Sequence, residues 1–153
     1  MINLNVGDKA PDFQGVNQND EIIELSNFLG KRIVLYFYPK DNTPGCTAEA
    51  CNLNDGYLTL TTMGFEVIGV SPDSIESHKK FAAKYNLSFH LIADTKKEII
   101  EKYGVWGEKT LYGKTSMGLL RTTFIIGADG TIEHIIKKVK TKEHTNQILE
   151  KIK

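Results

Sequence analysis

Two short runs of apolar side chains stand out in the first half of the chain. Residues 33–38, IVLYFY, and residues 65–70, FEVIGV, are rich in β-branched and aromatic side chains, which is typical of buried strands. The segment between them has mixed polarity and is long enough for a helix. The two runs therefore predict a βαβ unit, in which the strands are parallel and the helix crosses over the sheet.

The next part of the chain predicts two helices with a strand between them. A helix is expected over residues 74–85, where Asp73 is a suitable cap. Residues 89–92 then have the composition of a short buried strand. Thr95 and Glu98 have the spacing of a capping box, which predicts the start of a second, shorter helix.

Two hairpins and a closing helix complete the pattern. The run TTFIIGADGTIEHIIKK predicts two strands joined at residues 128–130, because Asp-Gly supplies the positive φ angles of a tight turn. Residues 13–16 and 21–25 flank a polar loop and predict a smaller hairpin near the N-terminus. Thr141 is expected to cap the last helix.

The order of these elements is that of a thioredoxin-like fold with an N-terminal β-hairpin. This is an α/β arrangement in which a central mixed sheet is flanked by helices. No repeat, low-complexity tract or linker interrupts the sequence of 153 residues. We therefore expect residues 1–153 to form a single domain, which is long enough to bury a core without disulfides or metals.

Charge and composition argue against several kinds of partner. The chain has 19 basic and 19 acidic residues, so its formal net charge is zero, which disfavours nucleic acid or an anionic membrane. The only basic cluster, residues 137–142, is interpreted as a solvated strand end. The first residues lack the pattern of a secretory signal, and no stretch approaches a membrane-spanning length. We therefore expect a cytoplasmic protein.

The only two cysteines, Cys46 and Cys51, follow the first apolar run at the start of the predicted helix. In a reducing cytoplasm, such cysteines are more often catalytic, redox-active or buried than part of a structural disulfide. Pro44 suits the first helical turn, which places Cys46 where the helix dipole favours a thiolate. Ionisation raises the thiolate fraction at most about thirtyfold, so the substrate must also be polarised. Thr43, the N–H groups of Gly45 and Cys46, and a nearby cation are candidates for that role.

Several thiol chemistries conflict with the spacing of these residues. A phosphatase-type loop needs an arginine where this chain has Asn52, and a thioredoxin-type disulfide reductase needs C-x-x-C, whereas the spacing here is C-x4-C. The four histidines are scattered without the paired spacing of a zinc site. A cysteine protease stays open at this point, since it needs a histidine base and nothing in the sequence selects one.

Four segments carry a resemblance to a known family. PKDNTPGC, from Pro39 to Cys46, contains the P-x-x-x-T-x-x-C motif of peroxiredoxins, and TPGCTAEAC resembles the subgroup called peroxiredoxin Q or bacterioferritin comigratory protein. GDKAPDF, YGVWGEKTLYGKTSMG and RTTFIIGADGTI resemble the same subgroup in the same order. The resemblance therefore extends over nearly the whole chain.

The resemblance implies a thiol peroxidase that needs no metal or organic cofactor. Cys46 is then the peroxidatic cysteine, which becomes a sulfenic acid. Thr43 is implied to donate to the peroxide and orient it, and Pro39 to shield the pocket. Arg121 is implied to be the cation beside the thiolate. Taken alone, Arg121 would be interpreted as a solvated residue at a strand start.

Cys51 corresponds to the resolving cysteine of this subgroup. The resemblance implies an intramolecular disulfide with Cys46, which a thioredoxin-type donor protein reduces. It also implies that hydrogen peroxide or an alkyl hydroperoxide is the substrate and that the chain is a monomer. The alternative for Cys51 is a small buried apolar residue on the helix.

Two cysteines five residues apart cannot form a disulfide on an intact helix. Their Cα atoms would be about 8.5 Å apart, whereas a disulfide tolerates at most about 7 Å. We therefore expect the first turns of the helix, up to at least Cys51, to unwind on oxidation. Asn52 and Asn54 are weak helix formers, which is expected to ease this unwinding.

Other polar and aromatic residues near the motif have simpler interpretations. Glu49 is expected either to orient Arg121 or to favour the helix N-terminus. Trp106 is interpreted as a packing residue, and Lys40 and Asp41 as solvated loop residues. Two functions of other classes remain open, namely a general disulfide relay that serves client proteins and a noncatalytic binding module.

Overall fold

The computed structural model describes residues 3–153. Its elements in chain order are β1 Gln14–Val16, β2 Ile22–Glu24, a 3-10 turn Leu25–Phe28, β3 Arg32–Phe37, α1 Pro44–Asp55, α2 Tyr57–Thr62, β4 Phe65–Ser71, α3 Ile75–Tyr85, β5 His90–Ala93, α4 Glu98–Lys102, β6 Trp106–Leu111, β7 Lys114–Leu119, β8 Thr122–Ile126, β9 Ile132–Ile136, a 3-10 turn Thr141–Glu143 and α5 His144–Lys151.

β3 lies at the centre of a five-stranded sheet with the strand order β5-β4-β3-β8-β9. β3, β4 and β5 are parallel to one another, and β8 is antiparallel to both of its neighbours, β3 and β9. The βαβ unit and the mixed sheet predicted from the sequence are therefore confirmed, and so is the thioredoxin-like fold class.

The central strand is buried on both faces because its side chains alternate between two cores. Leu35 and Phe37 pack in a core that also contains residues of the N-terminal hairpin and of α4. Val34 and Tyr36 pack in a second core, which contains residues of α1, α3 and α5. The helix that carries both cysteines is thus packed directly against β3.

Both predicted hairpins form. β1 pairs with β2, and β8 pairs with β9, in each case as antiparallel neighbours. In the turn between β8 and β9, Gly130 has the positive φ angle, 87°, that the Asp-Gly pattern indicates. Glycine adopts this angle without the steric penalty that other residues meet.

The predicted cap of α3 is wrong. Ser74 occupies the N-cap position, and its hydroxyl accepts a hydrogen bond from the N–H of Ser77 at 3.1 Å. Asp73 instead accepts a hydrogen bond from the N–H of Asp41 at 2.6 Å. The carboxylate therefore ties the loop after β3 to the start of α3.

The predicted capping box of α4 is also wrong. The chain passes through Lys97 with φ 59°, so α4 begins only at Glu98. Asp94 takes the capping role, because its carboxylate accepts hydrogen bonds from the N–H groups of Ile99 at 3.2 Å and Ile100 at 2.8 Å. Thr141 does not cap α5 either, since it begins the 3-10 turn that precedes this helix.

A third hairpin, formed by β6 and β7, was not predicted. The two strands are joined by Tyr112 and Gly113, which have φ angles of 52° and 76°. Two successive positive φ angles are typical of the tight turns that connect twisted strands. Most described side chains of β7 are exposed, so the segment lacks the alternation of buried and exposed residues that would indicate a strand.

The surface features agree with the sequence interpretation. Lys137, Lys138, Lys140 and Lys142 are all exposed, as expected of a solvated strand end. Among the helices within residues 3–153, the structure contains none with both the length and the apolar character needed to span a bilayer.

Candidate active site

Cys46 lies in the first turn of α1, directly after the loop that follows β3. Pro44 is the first helical residue, as predicted, and Thr43 adopts extended backbone angles at the N-cap. The Cys46 side chain is 1% exposed. The thiol therefore combines burial with a position at the positive end of the helix dipole.

Arg121, the residue before β8, contacts this thiol. Phe37 at the end of β3 pairs with Thr122 at the start of β8, which brings Arg121 beside the loop that leads to α1. Its Nη2 donates to Cys46 Sγ at 3.3 Å, and its Nη1 donates to Glu49 Oε1 at 2.7 Å. The guanidinium thus bridges two acceptors that are one helical turn apart.

Gly45 leaves room for this guanidinium. A Cβ atom at Gly45 would lie 3.2 Å from Arg121 Nη2. Burial alone would lower the pKa of Arg121, but the charges of Glu49 and Cys46 raise it further than burial lowers it. Arg121 is therefore a permanent cation at the site.

Glu49 is fully buried, and within residues 3–153 only one of its two carboxylate oxygens accepts a hydrogen bond. Burial raises its pKa to about 7, although Arg121 acts in the opposite direction. Its Oε2 has no hydrogen-bond partner among the described residues. His144 Nε2 lies 3.6 Å from that oxygen. Of the two interpretations of Glu49, orientation of Arg121 is thus the one that the contacts support.

His144, the first residue of α5, is buried beside Glu49 and was not found from the sequence. Burial lowers its pKa to about 4, so the ring is neutral at pH 7. Its Nδ1 lies 2.9 Å from Gln147 Oε1, an oxygen that also accepts from the N–H of Lys140. Nδ1 therefore carries the proton, and Nε2 accepts from the hydroxyl of Thr123 at 2.8 Å.

The loop between β3 and α1 is held by a buried carboxylate. Asp41, expected to be solvated, is 6% exposed, so that interpretation was wrong. Its Oδ1 accepts from the hydroxyl of Tyr38 at 2.6 Å, and its Oδ2 contacts Ser77 Oγ at 2.8 Å and His78 Nδ1 at 2.6 Å. Lys40 is exposed, as expected.

Thr43 and Pro39 lie at the two ends of this loop. The hydroxyl of Thr43 donates to the backbone carbonyl of Lys40 at 2.8 Å, so its lone pairs remain free to accept a hydrogen bond. Pro39 is half-buried. Thr43 therefore lies at the helix end that carries Cys46, whereas Pro39 lies at the other end of the loop, near the end of β3.

Cys46 and Cys51 are both free thiols on the same helix. Cys51 is partly exposed, and its pKa is raised, first by burial and then by the charge of Asp55. Both cysteines therefore lie on one continuous helix, where the spacing of five residues keeps them apart.

Lys109 and Trp106, both in β6, have different surroundings. Lys109 is half-buried; burial lowers its pKa, Arg121 lowers it further, and Cys46 raises it, so its ammonium lies within the field of the site. Its side chain crosses Gly118, where a Cβ would lie 3.1 Å from Lys109 Cδ. Trp106 packs against the core and carries the ammonium of Lys97 at 4.4 Å above its ring, which agrees with a packing role.

The fold is thioredoxin-like, and a buried cysteine at a helix N-terminus accepts a hydrogen bond from an arginine. These features together define a thiol-based redox protein. Residues 6–135 match the AhpC/TSA family. Peroxiredoxin Bcp of Bacillus subtilis is 43% identical over 152 residues, which are 99% of this chain and 97% of that protein.

Solved structures agree with this match. A peroxiredoxin Q variant from Xylella fastidiosa is 33% identical with a TM-score of 0.90, over 97% of this chain and 95% of that one. The bacterioferritin comigratory protein of Xanthomonas campestris is 31% identical with a TM-score of 0.86, over 98% of this chain and 96% of that one. The chain therefore belongs to the AhpC/TSA family, in the branch of the peroxiredoxins named Bcp and peroxiredoxin Q.

Proposed function

We propose that this protein is a thiol-dependent peroxidase that reduces hydrogen peroxide and organic hydroperoxides with Cys46. The observation that carries the proposal is the hydrogen bond from Arg121 Nη2 to the buried Sγ, at 3.3 Å. A cation and a helix N-terminus together stabilise the thiolate, which is the nucleophile. The Xanthomonas campestris relative has alkyl peroxide reduction activity, which supports the substrate class.

In the first step, the Cys46 thiolate attacks one oxygen of the peroxide. An S–O bond forms, the O–O bond breaks, and the leaving oxygen departs as an alkoxide or hydroxide that takes up a proton. The products are Cys46 sulfenic acid and an alcohol or water. Arg121 and the backbone N–H groups of Gly45 and Cys46 stabilise the charge that develops on the oxygens. No step calls for a metal or organic cofactor.

Thr43 and Pro39 position the peroxide in this proposal. Because the Thr43 hydroxyl already donates to Lys40 O, we assign it the role of accepting the peroxide O–H rather than donating to it. That assignment changes the hydrogen-bond direction that the family resemblance implied. Pro39 limits the access of water to the thiol.

Cys51 resolves the sulfenic acid as an intramolecular disulfide with Cys46, and water is released. A thioredoxin-type donor protein then reduces the disulfide by thiol exchange, in which two electrons pass from the donor dithiol to the cysteine pair. We propose that the protein works in the cytoplasm, because its cysteine use suits a reducing compartment. We also propose that it is a monomer, as the family resemblance implies.

The experiment that tests this proposal is peroxide consumption with a thioredoxin system. Cys46→Ser should abolish turnover, because a hydroxyl stays protonated at neutral pH and cannot replace a thiolate. Cys51→Ser should support one oxidation per molecule and then lose turnover with this donor. A disulfide relay without peroxidase activity would show no rapid peroxide consumption that depends on Cys46, and a binding module would show an unreactive Cys46.

A further inference from the structure

The two halves of α1 are attached to the rest of the protein in different ways. The first half carries Cys46 and is held by Arg121, which contacts Cys46 Sγ and Glu49. The second half begins at Asn52 and is held by hydrogen bonds to two segments that are distant in sequence. Cys51 lies at the boundary between these halves.

Asn52 makes three hydrogen bonds to the start of α5 and the 3-10 turn before it. Its Nδ2 donates to Lys142 O at 2.9 Å, and its Oδ1 accepts from Thr145 N at 2.7 Å. Its backbone oxygen accepts from Thr145 Oγ1 at 2.8 Å. The side chain of Asn52 therefore caps α5 from another helix, the role that the sequence had suggested for Thr141.

The next turn of α1 is anchored as well. Asn54 Nδ2 donates to Asn86 O, and Asn54 Oδ1 accepts from Ser88 N, both at 2.9 Å. Leu53 is fully buried between these two anchors. Asn52 and Asn54 thus attach α1 to other segments of the protein. Their weak helix propensity alone does not indicate this role.

A disulfide between Cys46 and Cys51 requires that one half of α1 moves. The hydrogen bonds of Asn52 and Asn54 determine which half moves more easily. Opening residues 52–55 breaks all five of these hydrogen bonds, whereas opening residues 44–50 leaves them in place. The net contribution of one hydrogen bond lowers the equilibrium constant for opening about fivefold. Oxidation also replaces a thiolate at Cys46 by a neutral sulfenic acid, so the contact with Arg121 loses its ionic part.

We propose that Asn52 is a positioning residue of the resolving step, which holds Cys51 in place while residues 44–50 unwind and carry Cys46 to it. The inference rests on the proposed function, in which Cys51 is the resolving cysteine. The Cys51 thiol attacks the sulfur of the Cys46 sulfenic acid. An S–S bond forms, the S–O bond breaks, and hydroxide leaves with the thiol proton as water.

Residue-resolved amide exchange tests which half moves, because three amides report on the anchors. The N–H of Thr145 donates to Asn52 Oδ1, that of Ser88 donates to Asn54 Oδ1, and that of Gly56 donates to the Asn52 carbonyl. In the wild-type disulfide form, all three should keep their protection while residues 44–50 lose theirs. Loss of protection at all three amides would show that the second half moves and would overturn the proposal.

Asn52→Ala tests the positioning role through a rate. We expect conversion of sulfenic acid to disulfide to slow about fivefold after a single equivalent of hydrogen peroxide, because Cys51 is no longer held. Sulfinic acid at Cys46 should accumulate at higher peroxide concentrations, and the Gly56 and Ser88 amides should lose protection in the disulfide form. Asn52→Asp keeps the acceptor for Thr145 N and should retain most of the rate.

Tyr103→Phe is the control for stability. It removes one hydrogen bond, from the tyrosine hydroxyl to Pro11 O, in the core on the other face of the sheet. Its resolution rate should match the wild type. An unchanged or faster resolution rate in Asn52→Ala would overturn the positioning role. Absence of any Cys46–Cys51 disulfide in the wild type would instead overturn the resolving role of Cys51, and with it this inference.

Discussion

The buried pair of Glu49 and His144 should give the protein two opposing dependences of stability on pH. Both side chains are 0% exposed, and Glu49 Oε2 lies 3.6 Å from His144 Nε2. The pKa of Glu49 is raised from 4.5 to about 7, chiefly by burial, so its contribution to stability is fully present below about pH 4.5 and is lost as pH rises through about 7. Burial lowers the pKa of His144 from 6.5 to about 4, so its contribution is present above about pH 6.5 and is lost as pH falls through about 4.

These shifts set the magnitude of each effect. When pH falls from about 7.5 to about 5, the His144 contribution to the free energy of unfolding decreases by about 2 kcal/mol, and the Glu49 contribution increases by about 2 kcal/mol. In the wild type the two changes nearly cancel. Replacement of either residue by glutamine should therefore expose the dependence of the other.

The assay is urea unfolding of the reduced protein at several pH values in this range, at constant ionic strength. Relative to the wild type, His144→Gln should gain about 2 kcal/mol between pH 7.5 and 5, and Glu49→Gln should lose about 2 kcal/mol. The double variant is the matched control and should follow the wild type. Comparison of slopes removes the packing cost of each substitution, which does not depend on pH. Slopes of the same sign in the two single variants would rule out opposing contributions of Glu49 and His144.

Two further predictions concern the cations of the site. In stopped-flow measurements, Arg121→Ala should slow oxidation of Cys46 at least about 100-fold and leave reduction of the disulfide little changed. The substitution also leaves the buried Glu49 carboxylate without its cation, which destabilises the protein. The double variant Arg121→Ala, Glu49→Gln should therefore recover stability but not the oxidation rate. Lys109→Gln should slow oxidation about twofold to fivefold. This effect should shrink at high salt, because the Lys109 side chain is partly exposed and its charge is screened; an equal effect at low and high salt would contradict an electrostatic role.

The sequence predicts the residues of the thiol motif better than it predicts the residues that surround them in the fold. Cys46, Thr43 and Pro39 lie within eight consecutive residues, and the junction of a strand with a helix fixes their relative positions locally. Arg121 is distant along the chain and was found only through the family resemblance, since an arginine at a strand start has no local signal that separates it from a solvated one.

Residues whose role depends on tertiary burial were missed. Asp41 lies in a polar loop and was expected to be solvated, but α3 supplies Ser77 and His78 as partners for its carboxylate. His144 reaches Glu49 only because α5 packs against α1, a contact that no spacing in either helix indicates. Most side chains of β7 are exposed, so no period of hydrophobic residues marks this strand of the hairpin.

The peroxidatic role of Cys46 can be tested by locating the oxidised sulfur after a single turnover. The reduced wild type, Cys51→Ser and Cys46→Ser are each treated with one equivalent of hydrogen peroxide in the presence of a sulfenic-acid trapping reagent, and the modified residue is located by mass spectrometry. We expect a trapped adduct on Cys46 in Cys51→Ser, a Cys46–Cys51 disulfide in the wild type, and neither product in Cys46→Ser. An adduct that forms on Cys51 in Cys46→Ser as rapidly as the wild type is oxidised would show that Cys46 is not the peroxidatic cysteine.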